Sequence, residues 1–367
     1  MKILALPNAL KGSLTAREAG RIFARALAKR HALYTCPVCD GGDGLLDFFR
    51  ALDPHAKTVF VNAKNAFLKN KRAPFLLLSD GKTAVLETAK ICGLGSAKKN
   101  ELDPLGASSF GVGQVLQAAV KRGAKTIYIG LGGVATNDGG AGLAAACGAR
   151  LLDKKGLEIP FGAQALLQLK QLDLSPLKQR FKSIKIIGIA DVKNPLLGPL
   201  GSARVFGPQK GATPKQVEIL ERALTAWARA LQRATGRTVS RVPSTSAAGA
   251  IAAGLYGCFG AKLCLGAEEL FKKAKLETQI KRADLIITCE GKLDEQTFYG
   301  KAPGLVLQLA KKHNKPVLFI CGQADKNIFR RKNLPDLKIA ALIDFAKDEN
   351  DAKKHAAKYI RRVCENI

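Results

Sequence analysis

The stretch that decides the fold is Thr126–Gly142, which reads TIYIGLGGVATNDGGAG. Its first residues, Thr126 to Ile129, are a β-rich run that breaks into glycines. The polar residues Asn137 and Asp138 follow, and then a series of small residues. A strand that ends in glycines and turns into a small-residue helix brings bare backbone N–H groups to one point, where negative charge is favoured. The stretch therefore predicts a phosphate-binding turn, and a strand-to-helix turn without a ligand is the alternative.

The same glycines also fit the fingerprint of dinucleotide-binding proteins. Gly130, Gly132 and Ala135 match G-x-G-x-x-G/A, and Asp153 ends the next apolar run, about where an acid would bind ribose. A single fingerprint is weak evidence, and two glycines with two polar residues in the first helical turn fit a nicotinamide site poorly. An NAD(P)-binding oxidoreductase therefore stays open at this point.

The composition is typical of a soluble α/β enzyme. With 367 residues, 47% of them hydrophobic, the chain is long enough for two domains with separate cores. No apolar run approaches the roughly 20 residues that a membrane-spanning helix needs. The opening residues, MKILALPN, are too short and too quickly broken for a signal peptide. We therefore expect a first strand here and a cytoplasmic protein.

The formal net charge of +29 is unusually high. A field of one sign attracts polyanions, so nucleic acid is the first partner to consider. The basic residues, however, are spread along the whole chain, without a basic tail or a basic stripe interleaved with aromatic residues. This pattern favours a solvated surface. We expect small-molecule partners, no specific nucleic acid and no membrane, and a homodimer stays open.

Nine cysteines are present, and only Cys36 and Cys39 are closely spaced, as C-P-V-C. Such a pair can be redox-active or can form half of a zinc site, but no second C-x-x-C or histidine pair completes a metal set. Because Cys36 follows the apolar run 32–34, a buried cysteine at a strand end is the favoured interpretation. A reducing compartment fits this pattern.

Polar loops follow several predicted strands, which alternate with predicted helices. The loop Asp40-Gly-Gly-Asp43-Gly44 follows the C-P-V-C segment. Asp191 directly follows the apolar strand Lys185–Ala190, and Glu290 follows Leu285–Thr288. The alternation predicts a mostly parallel sheet, and α/β enzymes place catalytic groups at the carboxyl ends of such strands. The acids at these ends are therefore candidate functional groups.

These loops contain Gly, Asp, Asn, Glu and Lys but no histidine, which argues against histidine acid–base chemistry. Phosphoryl transfer needs backbone cradles, a Lys or Arg, carboxylates that bind Mg²⁺ and one acid that orients a hydroxyl group. The loops supply all of these. The residues alone therefore predict a small-molecule kinase.

Six segments, in the same order, resemble those of the type I glycerate kinase family. They are Lys11-Gly12-Ser13, Asp40-Gly-Gly-Asp43-Gly44, Gly132-Gly133 with Ala135–Gly140, Asp191-Val192 with Asn194–Leu196, Phe206–Gly211, and Glu290-Gly291 with Asp294, Gln296-Thr297 and Gly300-Lys301. The family's enzymes use ATP to phosphorylate D-glycerate, usually to 2-phosphoglycerate. The resemblance covers the whole chain, implies this activity with ATP and Mg²⁺ as cofactors, and is favoured over the dinucleotide interpretation.

The resemblance also implies the architecture. The family has two α/β domains with the active site in the cleft between them. Both ends of this chain indicate one Rossmann-like, mostly parallel sheet, so we predict a domain of residues 1–60 and 281–367. A second α/β domain, residues 61–280, would be inserted into it and would carry the glycine-rich loops.

Asp191 is the predicted catalytic base, because it ends a buried strand and a turn containing Asn194 follows it. Lys11, in a strand-to-helix loop, is predicted to contact the transferred phosphate or the glycerate carboxylate, and Asp138 and Glu290 to bind Mg²⁺. The predicted substrate- and phosphate-binding residues are Ser13, Asp40, Asp43, Gly132, Gly133, Thr136, Asn137, Asn194, Gln209, Lys210, Asp294, Gln296 and Thr297.

Several positions depart from the family pattern. Asn8 stands where the family typically has Asp, and it can be neither a base nor as good a Mg²⁺ ligand. Leu45, Val134 and Cys289 replace a Thr, a Ser and a Gly, and around Ser246–Ala250 the family's glycines are partly replaced by Ser and Ala. A catalytically weakened enzyme, or a non-catalytic binding protein of the same family, is therefore the alternative prediction.

Overall fold

The computed structural model describes residues 1–325 and 336–367. Its strands are β1 (Lys2–Pro7), β2 (Ala32–Thr35), β3 (Lys57–Lys64), β4 (Asn70–Leu77), β5 (Thr83–Glu87), β6 (Thr126–Leu131), β7 (Arg150–Leu152), β8 (Gln171–Asp173), β9 (Lys185–Ala190), β10 (Lys262–Leu265), β11 (Leu285–Leu293), β12 (Val317–Ala324) and β13 (Leu337–Ala341).

The α-helices are α1 (Ala16–Leu27), α2 (Leu45–Leu52), α3 (Thr88–Cys92), α4 (Phe110–Lys121), α5 (Ala141–Ala146), α6 (Ser175–Phe181), α7 (Ser202–Phe206), α8 (Pro214–Thr235), α9 (Ile251–Phe259), α10 (Gly266–Lys273), α11 (Leu276–Arg282), α12 (Ala302–Lys312), α13 (Glu349–Lys354) and α14 (Ala356–Glu365). Within the described ranges, none of these helices combines the length and apolarity needed to cross a bilayer.

The described residues form two compact units. Unit 1 contains Met1–Asp40, Asp47–Pro54 and Gly266–Ile367, and unit 2 contains Gly41–Leu46 and His55–Leu265. Each unit has its own mostly parallel sheet, so the predicted α/β fold class with two units is confirmed. The predicted domains, 1–60 with 281–367 and 61–280, stay a prediction.

Unit 1 is built on a parallel sheet with the strand order β13-β12-β11-β1-β2. Strands β1 and β11 are neighbours, with Pro7 opposite Cys289. The strand order reverses between them, because β2 lies on the other side of β1. Open α/β sheets bind ligands at the carboxyl ends of strands at such a switch point. Lys11 follows β1, and Glu290 is near the end of β11, so both belong to this part of the sheet.

Strand β11 is longer than the sequence indicates. The sequence pattern predicts that β11 ends at Thr288. The strand continues to Leu293, because β12 pairs with it up to Leu293, which lies opposite Ala324. Glu290, which lies opposite Cys321, is therefore part of the strand and not of a loop. Sheet pairing therefore fixes the position of its backbone.

Helix α1 begins at a pattern that is visible in the sequence, Thr15 followed three residues later by Glu18. The Thr15 side chain accepts a hydrogen bond from the Glu18 N–H, and the Glu18 carboxylate accepts one from the Thr15 N–H, which completes a capping box. The apolar face of the helix is buried with Tyr359, Ile360 and Val363 of α14 in the core of unit 1. Cys36 and Cys39 are also buried, as predicted for cysteines at a strand end.

Unit 2 has the strand order β10-β9-β6-β5-β4-β3, in which β3 and β4 form an antiparallel hairpin at one edge. Strands β6 and β9 pair in parallel, with Leu131 opposite Ala190. The next residues, Gly132 and Asp191, therefore begin two neighbouring loops at the same edge of the sheet. This register is what places the glycine-rich stretch beside the predicted base.

The segment after β6 does not have the dinucleotide-binding arrangement. That fingerprint requires a helix that opens within the glycines, but α5 begins only at Ala141. Asp153 follows β7, which pairs antiparallel with β8 in a separate two-stranded sheet. Its Oδ1 accepts hydrogen bonds from the N–H groups of Lys155 and Leu157, so it caps a turn. The dinucleotide interpretation is therefore wrong.

The long helix α8 covers the glycine-rich loop. Thr213 and Gln216 form its capping box, and its apolar face is buried, with Val217, Leu220, Leu224, Trp227 and Leu231. The Trp227 indole is fully buried, and its Nε1–H donates a hydrogen bond of 2.9 Å to the Gly139 carbonyl. A Cβ at Gly139 would lie 2.5 Å from the Trp227 ring, so only glycine allows this approach.

We expect Gly139→Ala to destabilise unit 2 more than Gly156→Ala, a matched control. Both glycines have positive φ, +67° and +78°, but a Cβ at Gly156 would meet no atom within 4 Å. The control should lose about 1–2 kcal/mol of unfolding free energy from backbone strain alone. Gly139→Ala should lose at least about 1 kcal/mol more through the clash. Trp227 is the only tryptophan, so its fluorescence during denaturant unfolding measures both, and equal losses would contradict this packing.

Candidate active site

A buried carboxylate holds the glycine-rich loop of unit 2. Asp138 is fully buried, and its Oδ2 accepts hydrogen bonds from Ser109 N (2.7 Å), Ser109 Oγ (2.9 Å) and Gly142 N (3.1 Å). Its Oδ1 accepts one from Gly140 N at 3.2 Å. These bonds fasten the loop to the first residues of both α4 and α5.

This network occupies the helix start that the sequence predicts as a phosphate site. Protein acceptors already take the N–H groups of Gly140 and Gly142, and the Leu143 N–H donates to Ser109 Oγ. Burial raises the pKa of Asp138, and the hydrogen bonds from Ser109 and the glycines oppose that rise. Because Asp138 is fully buried and accepts four hydrogen bonds from the protein, the contacts favour a structural role for it over the predicted Mg²⁺ ligand.

Lys210 lies in the same polar core. It is only 3% exposed, and its Nζ donates to the Thr136 carbonyl (2.7 Å) and to Asn137 Oδ1 (3.0 Å). The Asn137 Nδ2 in turn donates to the Pro104 carbonyl. Burial lowers the pKa of Lys210 to about 8, while Cys92 and Asp138 oppose that shift. Lys210, Thr136 and Asn137 are all predicted site residues, and the structure brings them together.

A cavity of about 120 Å³ lies beside this core. Its polar wall contains Asp191, Gln209, Lys210 and Ser246, and Gly132, Gly133 and the loop 247–249 also line it. The apolar part of the wall is formed by Leu94, Val134, Val192 and Phe206. Five predicted site residues therefore meet at one cavity in unit 2: Asp191, Gly132, Gly133, Gln209 and Lys210.

The loop beside this cavity has strained backbone. Ala248, Gly249 and Ala250 have φ of +54°, +60° and +64°, the left-handed region that costs a non-glycine residue about 1–2 kcal/mol. A Cβ at Gly249 would lie 1.8 Å from the Thr136 carbonyl oxygen and 2.9 Å from Lys210 Nζ. The loop therefore packs directly on the buried ammonium group. The two alanines stand where the family's glycines are partly replaced.

Two further predicted site residues of unit 2, Asp43 and Asn194, lie close to residues that line this cavity. A Cβ at Gly133 would be 3.7 Å from both carboxylate oxygens of Asp43. The Asn194 Nδ2 donates to the Leu200 carbonyl at 2.9 Å, and the Asn194 carbonyl accepts a hydrogen bond from Ser246 Oγ. Asn194 therefore shapes the turn after Asp191, as predicted, through bonds to the protein itself.

Unit 1 contains a second polar cluster, at the end of β11. The Glu290 side chain is 11% exposed, and its Oε2 accepts a hydrogen bond of 2.9 Å from Thr297 Oγ1. Its Oε1 lies 3.5 Å from the Lys301 Nζ. Burial raises the pKa of Glu290, the bond from Thr297 and the Lys301 charge lower it, and the nearby Asp40 carboxylate raises it further.

Asp40 and Lys11 belong to the same cluster. The Oδ1 of Asp40 accepts a hydrogen bond from the Ala302 N–H, at the start of α12. Burial raises the pKa of Asp40, and the Ala302 bond and the charges of Lys301 and Lys11 oppose the rise. The Lys11 N atom lies 3.2 Å from the position that a Cβ at Gly291 would take, so the loop after β1 packs on β11.

The donor set of this cluster fits Mg²⁺ and phosphate. Mg²⁺ is usually held by one or two carboxylates together with substrate phosphates, and Glu290 and Asp40 provide two hard oxygen donors close to two lysines. Within the described ranges, no group of three or more His, Cys, Asp or Glu side chains could hold an ion.

The other predicted residues of unit 1 make contacts that shape their loops. Ser13 Oγ donates to the Lys353 carbonyl at 2.6 Å. Asp294 Oδ1 accepts from the Gln296 N–H at 2.9 Å and so caps the 3-10 helix Glu295–Phe298. The Gln296 side chain is exposed.

Sequence reasoning missed several residues of both clusters as site residues. Lys301 is part of the last segment that resembles the family, but only its distance from Glu290 shows that it belongs to this cluster. Ser109 lies outside the family motifs, Ser246 lies where the family's glycines are partly replaced, and serine occurs too widely to stand out. Glu87 was also missed: it is 1% exposed at the end of β5, and its Oε1 accepts a hydrogen bond from the Leu46 N–H.

A comparison with protein-family models matches residues 3–367 to the glycerate kinase family. The chain belongs to the glycerate kinase family. The cavity with Asp191 and Lys210 and the cluster around Glu290 are therefore candidate parts of a kinase site. The resemblance noted in the sequence is confirmed across nearly the whole length.

Individual relatives agree with this family assignment. The chain is 36% identical to the glycerate kinase of Bacillus subtilis (strain 168) over 373 aligned positions, which cover 100% of this chain and 97% of that protein. It is 37% identical to the glycerate 2-kinase of Escherichia coli (strain K12), over 89% of this chain and 87% of that one. A crystal structure assigned as glycerate kinase 2 of Salmonella typhimurium LT2 superposes with a TM-score of 0.84 at 35% identity, and covers 100% of this chain and 96% of that one.

We expect Asp138→Asn to destabilise unit 2 by about 2–4 kcal/mol, because an amide nitrogen would face donors that the carboxylate now satisfies. Asp153→Asn is the matched control, since Asp153 caps a turn whose bonds are exposed. It should cost at most about 1 kcal/mol. Trp227 fluorescence in denaturant measures both variants. A loss for Asp138→Asn as small as the control's would show that the network does not hold the loop.

Proposed function

We propose that the protein catalyses the ATP- and Mg²⁺-dependent phosphorylation of D-glycerate, with 2-phosphoglycerate as the favoured product. The observation that carries this proposal is the cavity in unit 2, which Asp191, at the end of β9, and Lys210, in the 3-10 helix Pro208–Lys210, line together in a chain of the glycerate kinase family. The specific name of the Escherichia coli relative supports the 2-hydroxyl group as acceptor.

Asp191 serves as the base in this proposal. It follows β9 directly, so the sheet fixes its backbone, and it lines the cavity together with Lys210. As the glycerate hydroxyl oxygen forms its bond to the γ-phosphorus atom, the bond between that phosphorus and the ADP oxygen breaks. Asp191 accepts the hydroxyl proton. A positioned base of this kind is typically worth about 10²–10⁴ in rate.

The cluster in unit 1 is the proposed site for the phosphates of ATP and for Mg²⁺. Glu290, with Asp40 close by, would hold the ion, and Lys301 and Lys11 would pair with phosphate oxygens. When bound, Mg²⁺ neutralises charge on the β- and γ-phosphates. Thr297 fixes the Glu290 carboxylate through its hydrogen bond, and Asp40 positions Lys301 by capping the helix that begins beside it. The partners are thus small anions, and a kinase that consumes ATP fits the cytoplasmic location expected from the sequence.

One feature supports the alternative of a weakened enzyme or a non-catalytic binding protein. Asn8 replaces the family's usual Asp, and its Oδ1 accepts a hydrogen bond from the Ala9 N–H. Its carbonyl accepts a hydrogen bond from the thiol of Cys289, another departure. The two departures are therefore in contact with each other.

A coupled assay of purified protein with ATP, Mg²⁺ and D-glycerate tests the proposal. We expect ADP release that depends on both D-glycerate and Mg²⁺, and ³¹P NMR should place the phosphate on the 2-hydroxyl group. Folded protein that binds D-glycerate without consuming ATP would favour the binding-protein alternative. Phosphate on the 3-hydroxyl group would show that the product is 3-phosphoglycerate.

We expect Asp191→Asn to lower kcat by about 10²–10⁴, because the amide cannot accept the hydroxyl proton. The KM for ATP should stay within about twofold, since the phosphates bind elsewhere in this proposal. Asp153→Asn serves as the control with the same chemical change in the same unit. If Asp191→Asn keeps more than about a third of the wild-type kcat, far outside the range for a base, another acid must take this role.

We expect Glu290→Gln to raise the Mg²⁺ concentration needed for half-maximal activity by at least about 10-fold, the loss that removal of even an indirect metal partner can cause. The exposed Glu268 on α10 provides the control Glu268→Gln. Steady-state rates across a Mg²⁺ series at saturating ATP measure the effect. An unchanged Mg²⁺ dependence in folded Glu290→Gln would move the ion to other residues.

A further inference from the structure

The cavity in unit 2 is too small for a whole nucleotide. Its volume of about 120 Å³ is well below the ~300–1,000 Å³ of pockets that enclose drug-sized ligands. It can hold a compact group of a few heavy atoms. Within the proposed reaction, the three-carbon acid is the ligand that fits this size.

The charges in the cavity indicate which part of the acid binds where. Lys210 supplies the cation of its polar wall and Asp191 supplies a carboxylate. A carboxylate group is attracted to the ammonium, whereas a hydroxyl group can donate to Asp191. A 2-hydroxy acid carries these two groups on adjacent carbon atoms, so both interactions can form at once.

The surroundings of Lys210 prepare it for an anion. Its two described acceptors, the Thr136 carbonyl and Asn137 Oδ1, are neutral. An ammonium group has three donors, so one donor remains beyond these two bonds. Because the group is 3% exposed, water screens it little, and pairing with a buried anion is strong.

We infer that Lys210 is the specificity-determining residue for the acceptor and that its ammonium binds the carboxylate of the acid inside this cavity. This inference rests on the proposed function, which does not itself say how a carboxylate is distinguished from a plain alcohol. The phosphate of ATP is the other anion that could reach an ammonium group. Unit 1 already offers Lys11 and Lys301 for phosphate, so the acid is favoured here.

The environment of Lys210 also predicts that the protein takes up a proton when the acid binds at high pH. Burial lowers its pKa to about 8, so above that pH the free site is increasingly neutral and a bound carboxylate must draw a proton back. Cys92 and Asp138 are the titratable groups whose charge acts on Lys210, and Asp191 lines the same cavity. The pKa of Cys92 is raised by burial to about 12, so its thiol stays neutral through this range.

The first test is a specificity measurement on Lys210→Met, with the exposed Lys155→Met in the same unit as control. We expect the KM for D-glycerate to rise at least about 30-fold and the KM for ATP to change less than about twofold. The preference of the wild type for D-glycerate over glycerol, which lacks the carboxylate, should be largely lost. Unchanged discrimination, or a larger effect on ATP than on D-glycerate, would overturn the inference.

The second test uses the unmodified protein, in case Lys210→Met does not fold. D-Glycerate binding is measured by calorimetry in two buffers of different ionisation enthalpy, at pH 7 and pH 9. We expect uptake near zero at pH 7 and approaching about one proton at pH 9. No uptake at pH 9 contradicts the inference, and so does uptake that persists in folded Lys210→Met, because Asp138 or Asp191 would then be its source.

The two proposals can fail separately. Protein that binds D-glycerate with proton uptake but transfers no phosphate supports the role of Lys210 and rejects the proposed reaction. Protein that phosphorylates D-glycerate with no uptake and no effect of Lys210→Met supports the reaction and rejects this role. Protein that neither binds nor phosphorylates D-glycerate rejects both.

Discussion

The structure of unit 2 depends on the hydrogen bonds made by a buried loop that carries a charged side chain. The loop Thr136–Gly140 carries the Asp138 carboxylate into the interior, where an unpaired charge would be very costly. Hydrogen bonds from Ser109 and two glycine N–H groups stabilise the carboxylate, Lys210 bonds to the preceding residues, and Trp227 donates to the Gly139 carbonyl. The side chains among these groups come from the N-cap residue of α4, from α8 and from the 3-10 helix Pro208–Lys210, so the loop fixes the packing of distant segments together.

The same constraint produces the candidate acceptor site. Lys210 must stay buried to hold the loop, and it lines the cavity that Asp191 borders. The left-handed backbone at Ala248–Ala250 lets a second loop approach this ammonium closely. Strained backbone of this kind is retained where the surrounding structure compensates for it, often at functional sites. If the proposed role of Lys210 is correct, stability of the loop and recognition of the substrate share this one side chain.

Much of this arrangement could be predicted from sequence. The periodicity of α1 and α8 and their capping boxes appear directly in the residues, and a strand followed by an acid placed Asp191 at a sheet edge. The roles of Asp138 and the length of β11 could not be predicted, since they depend on partners far away in the chain. Ser109 donates to Asp138, and β12 extends the pairing past Glu290. The prediction of a dinucleotide site was wrong for the same reason. The pairing of β7 with β8 determines where Asp153 lies, and the sequence pattern does not indicate that pairing.

In the proposed complex, the cavity of unit 2 holds the acceptor acid between Lys210 and Asp191. A crystal structure of the protein with bound D-glycerate would show whether the acid binds there. We expect the carboxylate within about 3 Å of the Lys210 Nζ, and the 2-hydroxyl group within hydrogen-bond distance of an Asp191 oxygen. D-Glycerate bound with its carboxylate at Lys11 or Lys301, and this cavity filled by water, would contradict it.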